Sequence, residues 1–324
     1  MKMARSIGVI LFLIAFAQLQ IASTIIIDEK PQTRVELGKK LFFDPILSAD
    51  NTISCASCHQ PKFAYGDNKP FSLGVNDSVG VRNTPSVMNM SSRPIFFHDG
   101  RASSLESQAV MPIENPIEMN LSMEEAVEKV KANEEYFELF SELYHAEPTK
   151  FNITHALAEF QRSLESDGSA PFDLWATNTD ETVLSESQLR GRLIFISNKS
   201  KCFDCHFGPD FTGDEFRNIG LYDGINLVDK GRFEITKDSS DLGKFKVPVL
   251  RNVALTAPYM HNGMFQTLEE VIDYYNNPYD FVEAPINMDP LMTEPLNLTQ
   301  QEKEDLVNFL HSLTDENIPF REEF

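Results

Sequence analysis

Cys55-Ala-Ser-Cys58-His59 and Cys202-Phe-Asp-Cys205-His206 constrain this chain more than any other feature. In each string two thiols are followed at once by a histidine. This is the pattern in which sulfurs add to the vinyl groups of a haem and an imidazole ligates its iron. The two strings use all four cysteines, so no thiol remains for a disulfide or a separate zinc site. One CxxC alone is also compatible with a redox dithiol or half a zinc site. Two copies, each with its histidine, favour two covalently bound haem c groups. Cys55 and Cys58 would hold haem 1 with His59 on its iron, and Cys202 and Cys205 would hold haem 2 with His206 on its iron.

A chain of 324 residues has room for two domains, one for each haem. Lys2 and Arg5 precede an apolar run from Ile7 to Ala17 with small residues after it. That is the layout of a signal peptide, assigned to residues 1–23, with an uncleaved N-terminal anchor as the alternative. No membrane span is expected in the mature protein. Covalent haem c attachment is extracytoplasmic in bacteria, so a periplasmic location is expected. The net charge of −21 argues against nucleic acid and anionic lipid surfaces as partners.

The chain repeats itself. Gly38 with Leu41, Phe42 and Phe43 stands before the first motif, and Gly191 with Ile194 and Phe195 before the second. Pro85-Ser-Val-Met-Asn89 matches Pro248-Val-Leu-Arg-Asn252, and His98-Asp-Gly100 matches His261-Asn-Gly263. Leu105-Glu106 matches Leu268-Glu269, and the stretch from Ala156 to Leu164 matches that from Asp305 to Leu313. Apolar spacing in the last pair is helical, and capping boxes stand at Ser185/Gln188 and Thr299/Glu302. The expected fold is therefore mainly α, with two cytochrome c-like domains, long loops and little β structure. Residues 30–165 would carry haem 1 and residues 183–324 haem 2, with the C-terminal segment returning to the first domain. Residues 166–182 read as a linker, and the longer loop of the second half, Gly220 to Gly243, as a surface loop.

The repeat has one mismatch of chemical consequence. Seven residues beyond the shared leucine stands Pro112 in the first half and Tyr275 in the second. A phenolate oxygen ligates ferric haem iron, and proline has no group that can. On this register haem 2 is filled by His206 and Tyr275, while haem 1 keeps a vacant position opposite His59. A vacant iron activates a small oxidant; a filled one mostly moves electrons. Tyr274 as the ligand and a core role for Tyr275 stay open, as do Met88, Met90, Met111 and His98 as groups that fill haem 1. The lone Trp175 reads as a core or linker anchor, with a redox relay as the other possibility.

Beyond the haem motifs, the sequence resembles the bacterial dihaem cytochrome c peroxidase and MauG family over nearly its whole mature length. The residues that carry the resemblance are Arg82-Asn83-Thr84-Pro85, Phe97-His98-Asp99-Gly100-Arg101, Gln108, Pro112, Glu118-Met119, Lys246-Val-Pro248 and Leu255 through Gly263. The resemblance implies Glu118 as the proton-transfer group over haem 1, with Gln108 orienting peroxide. It also implies one calcium ion on the side chain of Asn83 and the carbonyls of Thr256 and Pro258. Peroxidases of this family carry a loop histidine that caps haem 1, and here that place is Val75. Many members have tryptophan at the position of His98.

The expected activity is that of a haem peroxidase of the cytochrome c type. It would reduce hydrogen peroxide at haem 1 with electrons passed through haem 2 from a small cytochrome c or cupredoxin. One alternative is a MauG-like enzyme that oxidises a side chain of a partner protein. Another is a dihaem electron carrier, against which the vacant iron argues.

Overall fold

The helical spacing of the sequence resolves, in a computed structural model describing residues 30–321, into eleven α-helices joined by long loops. The first half contains α1 (Arg34–Phe43), the single turn α2 (Cys55–Cys58), α3 (Leu105–Glu114), α4 (Met123–Ala132), α5 (Glu134–Tyr144) and α6 (Lys150–Arg162). Helix α7 (Pro171–Ala176) lies in the connection. The second half contains α8 (Glu186–Phe195), α9 (Phe233–Thr236), α10 (Leu268–Asn276) and α11 (Gln300–His311). The sheet among the described residues is one antiparallel pair, β1 (Phe216–Arg217) with β2 (Phe245–Lys246). No helix among them is long and apolar enough to cross a membrane. The expected signal peptide lies outside the described residues.

Each half closes by the same contact. A Cβ on Gly38 would stand 1.9 Å from the Ala156 carbonyl oxygen and 2.9 Å from Phe160 Cβ. On Gly191 it would stand 1.9 Å from the Asp305 oxygen and 2.8 Å from Phe309 Cβ. Only glycine lets α1 meet α6, and α8 meet α11, backbone to backbone. Both expected capping boxes form, with Ser185 N–H donating to Gln188 (2.8 Å) and Thr299 N–H to Glu302 (2.8 Å). The closing helices are buttressed alike. Asn89 N–H donates to Leu164 O (2.8 Å) and Asn252 N–H to Leu313 O (2.9 Å). Their side-chain oxygens accept from Ser166 N–H and Asp315 N–H, both at 2.8 Å.

The halves are joined by a reciprocal pair of bonds. Asn83 N–H donates to His261 O (2.7 Å), and Lys246 N–H to His98 O (2.8 Å). Asn83 and Lys246 hold the same place in the repeat, as do His98 and His261, so the halves face each other about an approximate two-fold axis. Leu37, Leu41, Phe42, Phe140, Ile153 and Phe160 anchor the core of the first half. Phe195, Phe211, Ile272, Leu306, Phe309 and Leu310 anchor that of the second. Each such side chain contributes about 1.5–3 kcal/mol by leaving water. Near the C-terminus Ile318 joins the first core, Phe320 packs 5.9 Å from Phe160, and Tyr65 hydroxyl donates to Pro319 O (3.0 Å).

Two connections carry more than their sequence reading specified. The stretch 166–182 holds a helix, because Pro171 at its start has the helical φ already set. The loop between Gly220 and Gly243 does more than cover the surface. Its Asp229 takes Arg82 in a two-pronged ion pair (2.7 and 2.8 Å), and its Arg232 donates to the carbonyls of Asp99 and Gly100 (2.9 and 3.0 Å).

Candidate active site

A cavity of about 1020 Å³ runs between the two halves and touches both CxxCH motifs. It lies at the upper end of the range for small-molecule sites, about 300–1,000 Å³. None of the four cysteines is paired in a disulfide.

The two motif histidines are held alike. His59 Nδ1 lies 3.0 Å from Tyr65 O, and His206 Nδ1 lies 2.9 Å from Phe211 O. A carbonyl only accepts, so Nδ1 carries the proton and Nε2 keeps its lone pair. Burial also lowers both imidazole pKa values, which favours the neutral ligand form. Two cysteines outside any disulfide beside an oriented, unprotonated imidazole fit a covalent haem at each motif.

Above the first motif, α3 presents Gln108 and Pro112 to the cavity from one face, one turn apart. Glu118 follows in the turn after α3. Asn115 O accepts from Glu118 N–H (3.0 Å), and Asn115 Nδ2 donates to Glu118 Oε1 (2.6 Å). Burial raises the carboxyl pKa above the usual glutamate value, although the Asn115 bond and the charge of Arg101 pull it down. Gln108, Pro112 and Glu118 thus line the same cavity as Cys55, Cys58 and His59.

Above the second motif the two tyrosines separate. Tyr274 is fully buried, and its hydroxyl donates to Ile219 O (2.6 Å). Tyr275 lines the cavity with Cys202, Cys205 and His206. Burial raises the Tyr275 phenol well above its ordinary pKa. An anionic oxygen there therefore requires a cation beside it.

Of the other candidates for haem 1, Met88 and Met90 border the cavity, while Met111 packs in an apolar cluster with Phe96 and Leu105. His98 donates from Nε2 to Asn83 O (2.9 Å) and is held there. Trp175 sits beneath Arg192 (4.9 Å) and 6.0 Å from Phe172.

Asn83, Thr256 and Pro258 border the same cavity. Asn83 Nδ2 donates to Lys69 O (3.0 Å), which turns Oδ1 the other way. Among the described residues no cluster of three His, Cys, Asp or Glu side chains could hold a metal. A cation here would rest on neutral oxygens, which suits a hard ion such as calcium.

The spacing of the sequence did not disclose the polar cluster where the halves meet. Arg82 bonds Asp99 (2.5 Å) as well as Asp229, and His261 stacks on Phe245 with ring centroids 3.7 Å apart. Burial, the neighbouring His98 and Arg82 push His261 down to about 3, against the pull of Asp229, so it is neutral.

A family model described as di-haem cytochrome c peroxidase matches residues 32–181. The methylamine utilization protein MauG of Methylorubrum extorquens is 39% identical over 287 residues, covering 87% of this chain and 78% of that protein. The cytochrome c551 peroxidase of Nitrosomonas europaea is 39% identical over 241 residues, covering 74% and 71%. A solved MauG-like protein associated with microbial copper homeostasis superposes with a TM-score of 0.81 at 31% identity, covering 90% and 91%. The mainly helical fold is therefore that of two cytochrome c-like domains. With haem c as its cofactor and haem peroxidase chemistry as its activity, the chain belongs to the dihaem cytochrome c peroxidase and MauG family.

Proposed function

We propose that this chain is a periplasmic dihaem c enzyme that reduces hydrogen peroxide to water at haem 1, with electrons arriving through haem 2. Its domains would be 30–165 and 183–324, its cofactors two haem c groups and one calcium ion. The observation that carries the reading is the inequality of the two distal places. Pro112 offers the cavity no ligand where Tyr275 offers a phenol.

Bound haem iron would supply the electron-accepting and electron-donating centre that O–O cleavage needs. The protein's own part is proton handling. Gln108 has amide donors and an acceptor on the wall facing the haem 1 motif, and it would orient the peroxide. Glu118 would take the proton from one peroxide oxygen and return it to the other, which then leaves as water. Two electrons and two further protons complete the conversion of one peroxide to two waters. Asn115 keeps the carboxyl aimed by its 2.6 Å bond. The partial burial that raises its pKa makes the same group an effective acid once it has accepted the proton.

A net charge of −21 favours a donor with a basic docking face, such as a small cytochrome c or cupredoxin. A second reading is a MauG-like enzyme that draws electrons from a side chain of a partner protein. The placement of Tyr275 in the haem 2 wall supports it, because an anionic oxygen ligand stabilises ferric iron. Steady-state turnover of the holoenzyme with peroxide and reduced cytochrome c separates the two. Fast turnover is expected for the peroxidase; turnover that stays slow with every small donor would favour the protein substrate.

A further inference from the structure

A short hairpin beside haem 1 has no role in the chemistry above. Leu73 and Val79 pair antiparallel, Gly80 N–H donates to Ser72 O (2.9 Å), and Gly74 N–H to Ser78 O (2.8 Å). Its base is tied down by Ser72 Oγ, which lies 2.7 Å from Asp67 Oδ2 and 2.6 Å from Thr84 Oγ1. At its tip Asn76 and Asp77 have φ of 55° and 57°. Asn and Asp are the non-glycine residues that take up this left-handed backbone most readily, which suits them to the tip of a tight hairpin.

One edge of the hairpin is pressed against the backbone of Glu118. Val75, 1% exposed, donates its N–H to Glu118 O at 2.8 Å. Gly74 has φ −99°, a value open to any residue, so the need for glycine there is spatial. A Cβ would stand 2.2 Å from Ile117 O, 2.5 Å from Glu118 O and 2.7 Å from Glu118 Cα. On the opposite flank Asn115 accepts the Glu118 N–H and donates to its carboxyl. The glutamate is thus gripped twice: Asn115 aims the carboxyl, and the hairpin fixes the backbone from which it hangs.

We infer that the hairpin around Leu73–Val79 is the positioning element of the haem 1 site, setting the place of the Glu118 carboxyl through the Val75 N–H and the missing side chain of Gly74. Neither residue has a side-chain group that can bond peroxide, so both act through Glu118. The inference rests on the reading of Glu118 as the proton-transfer group. A misplacement of 1 Å in such a group costs on the order of 10²-fold in rate.

Val75→Pro isolates the contact. It deletes the N–H at the first position of a 3₁₀ turn, where proline is tolerated, and Gly74 before it is already extended (ψ −161°), as proline requires. In the haem-loaded protein, Val75→Pro and Gly74→Ala are each expected to slow the reaction with peroxide tenfold or more. The fall should lie in kcat more than in KM, with the haem 2 spectrum unchanged. Val79→Ala, on the exposed side of the hairpin, should stay within about threefold of the parent. In a Glu118→Gln background, Val75→Pro should add less than a twofold loss. If Glu118→Gln alone reacts at the parent rate, the role of Glu118 falls. If Glu118→Gln is slow but Val75→Pro is not, or the two losses multiply, the hairpin has no hold on Glu118 and the inference is overturned.

Discussion

Pro112 and Tyr275 hold one place in the repeat and differ in a single respect: only the tyrosine can donate electrons to iron. Tyr275→Phe should therefore change the absorption and magnetic signals of haem 2 and leave those of haem 1 untouched. Tyr274→Phe should change neither, because its hydroxyl is spent on Ile219 O. Glu118 carries a pH dependence of known sign. As a base it works only when ionised, and burial raises its pKa. The peroxide rate should accordingly fall on acidification at a pH above the ordinary glutamate value, and Glu118→Gln should abolish that limb. Stability follows the same group. The folded protein binds this proton more tightly than the unfolded chain does. Its stabilising contribution is complete below the ordinary value and is lost as pH rises through the raised one. The unfolding midpoint of Glu118→Gln, compared with the parent, should rise from acid to neutral pH.

Paired helices carry each haem motif, and the closeness of the pair is set by one missing side chain. Gly38→Ala and Gly191→Ala each put a Cβ 1.9 Å from a carbonyl oxygen. Each should cost about 1–3 kcal/mol or more, as overpacking does, read as a lowered thermal midpoint with haem still attached. This much was legible in the sequence, because the repeat aligned Gly38 with Gly191 and Ala156 with Asp305, the residues that now touch. The two asparagines were legible as equivalents but not as buttresses. The hold of Gly74 and Val75 on Glu118 left no trace, since glycine and valine in a loop carry no motif and the contact spans distant stretches of chain. The loop from Gly220 to Gly243 lies largely at the surface as read, but its contacts with the first half were not legible for a related reason. Its Gly and Asp content reads as solvent-facing, while the partner that draws Asp229 inward, Arg82, stands 147 residues away.

At the scale of the molecule, two similar halves meet about a near two-fold axis, and the paired bonds of Asn83 with His261 and of Lys246 with His98 hold them there. The Arg82 clasp is the asymmetric addition. Burial works against the charge of Asp229, but the bonds and charge of Arg82 outweigh it and hold the pKa below the ordinary aspartate value. The clasp therefore stabilises fully above the ordinary value and fails as pH falls through the lowered one. Asp229→Asn should remove that dependence. Asp229→Ala should cost about 1–3 kcal/mol, between an exposed pair and a buried one, measured by denaturant unfolding of the holoprotein. The central claim is that this symmetry is broken at the irons, and it is tested most directly by electron paramagnetic resonance of the fully ferric protein. One high-spin signal from an open haem 1 and one low-spin signal from haem 2 are expected, with only the second altered by Tyr275→Phe. Two low-spin signals and no high-spin species would contradict it.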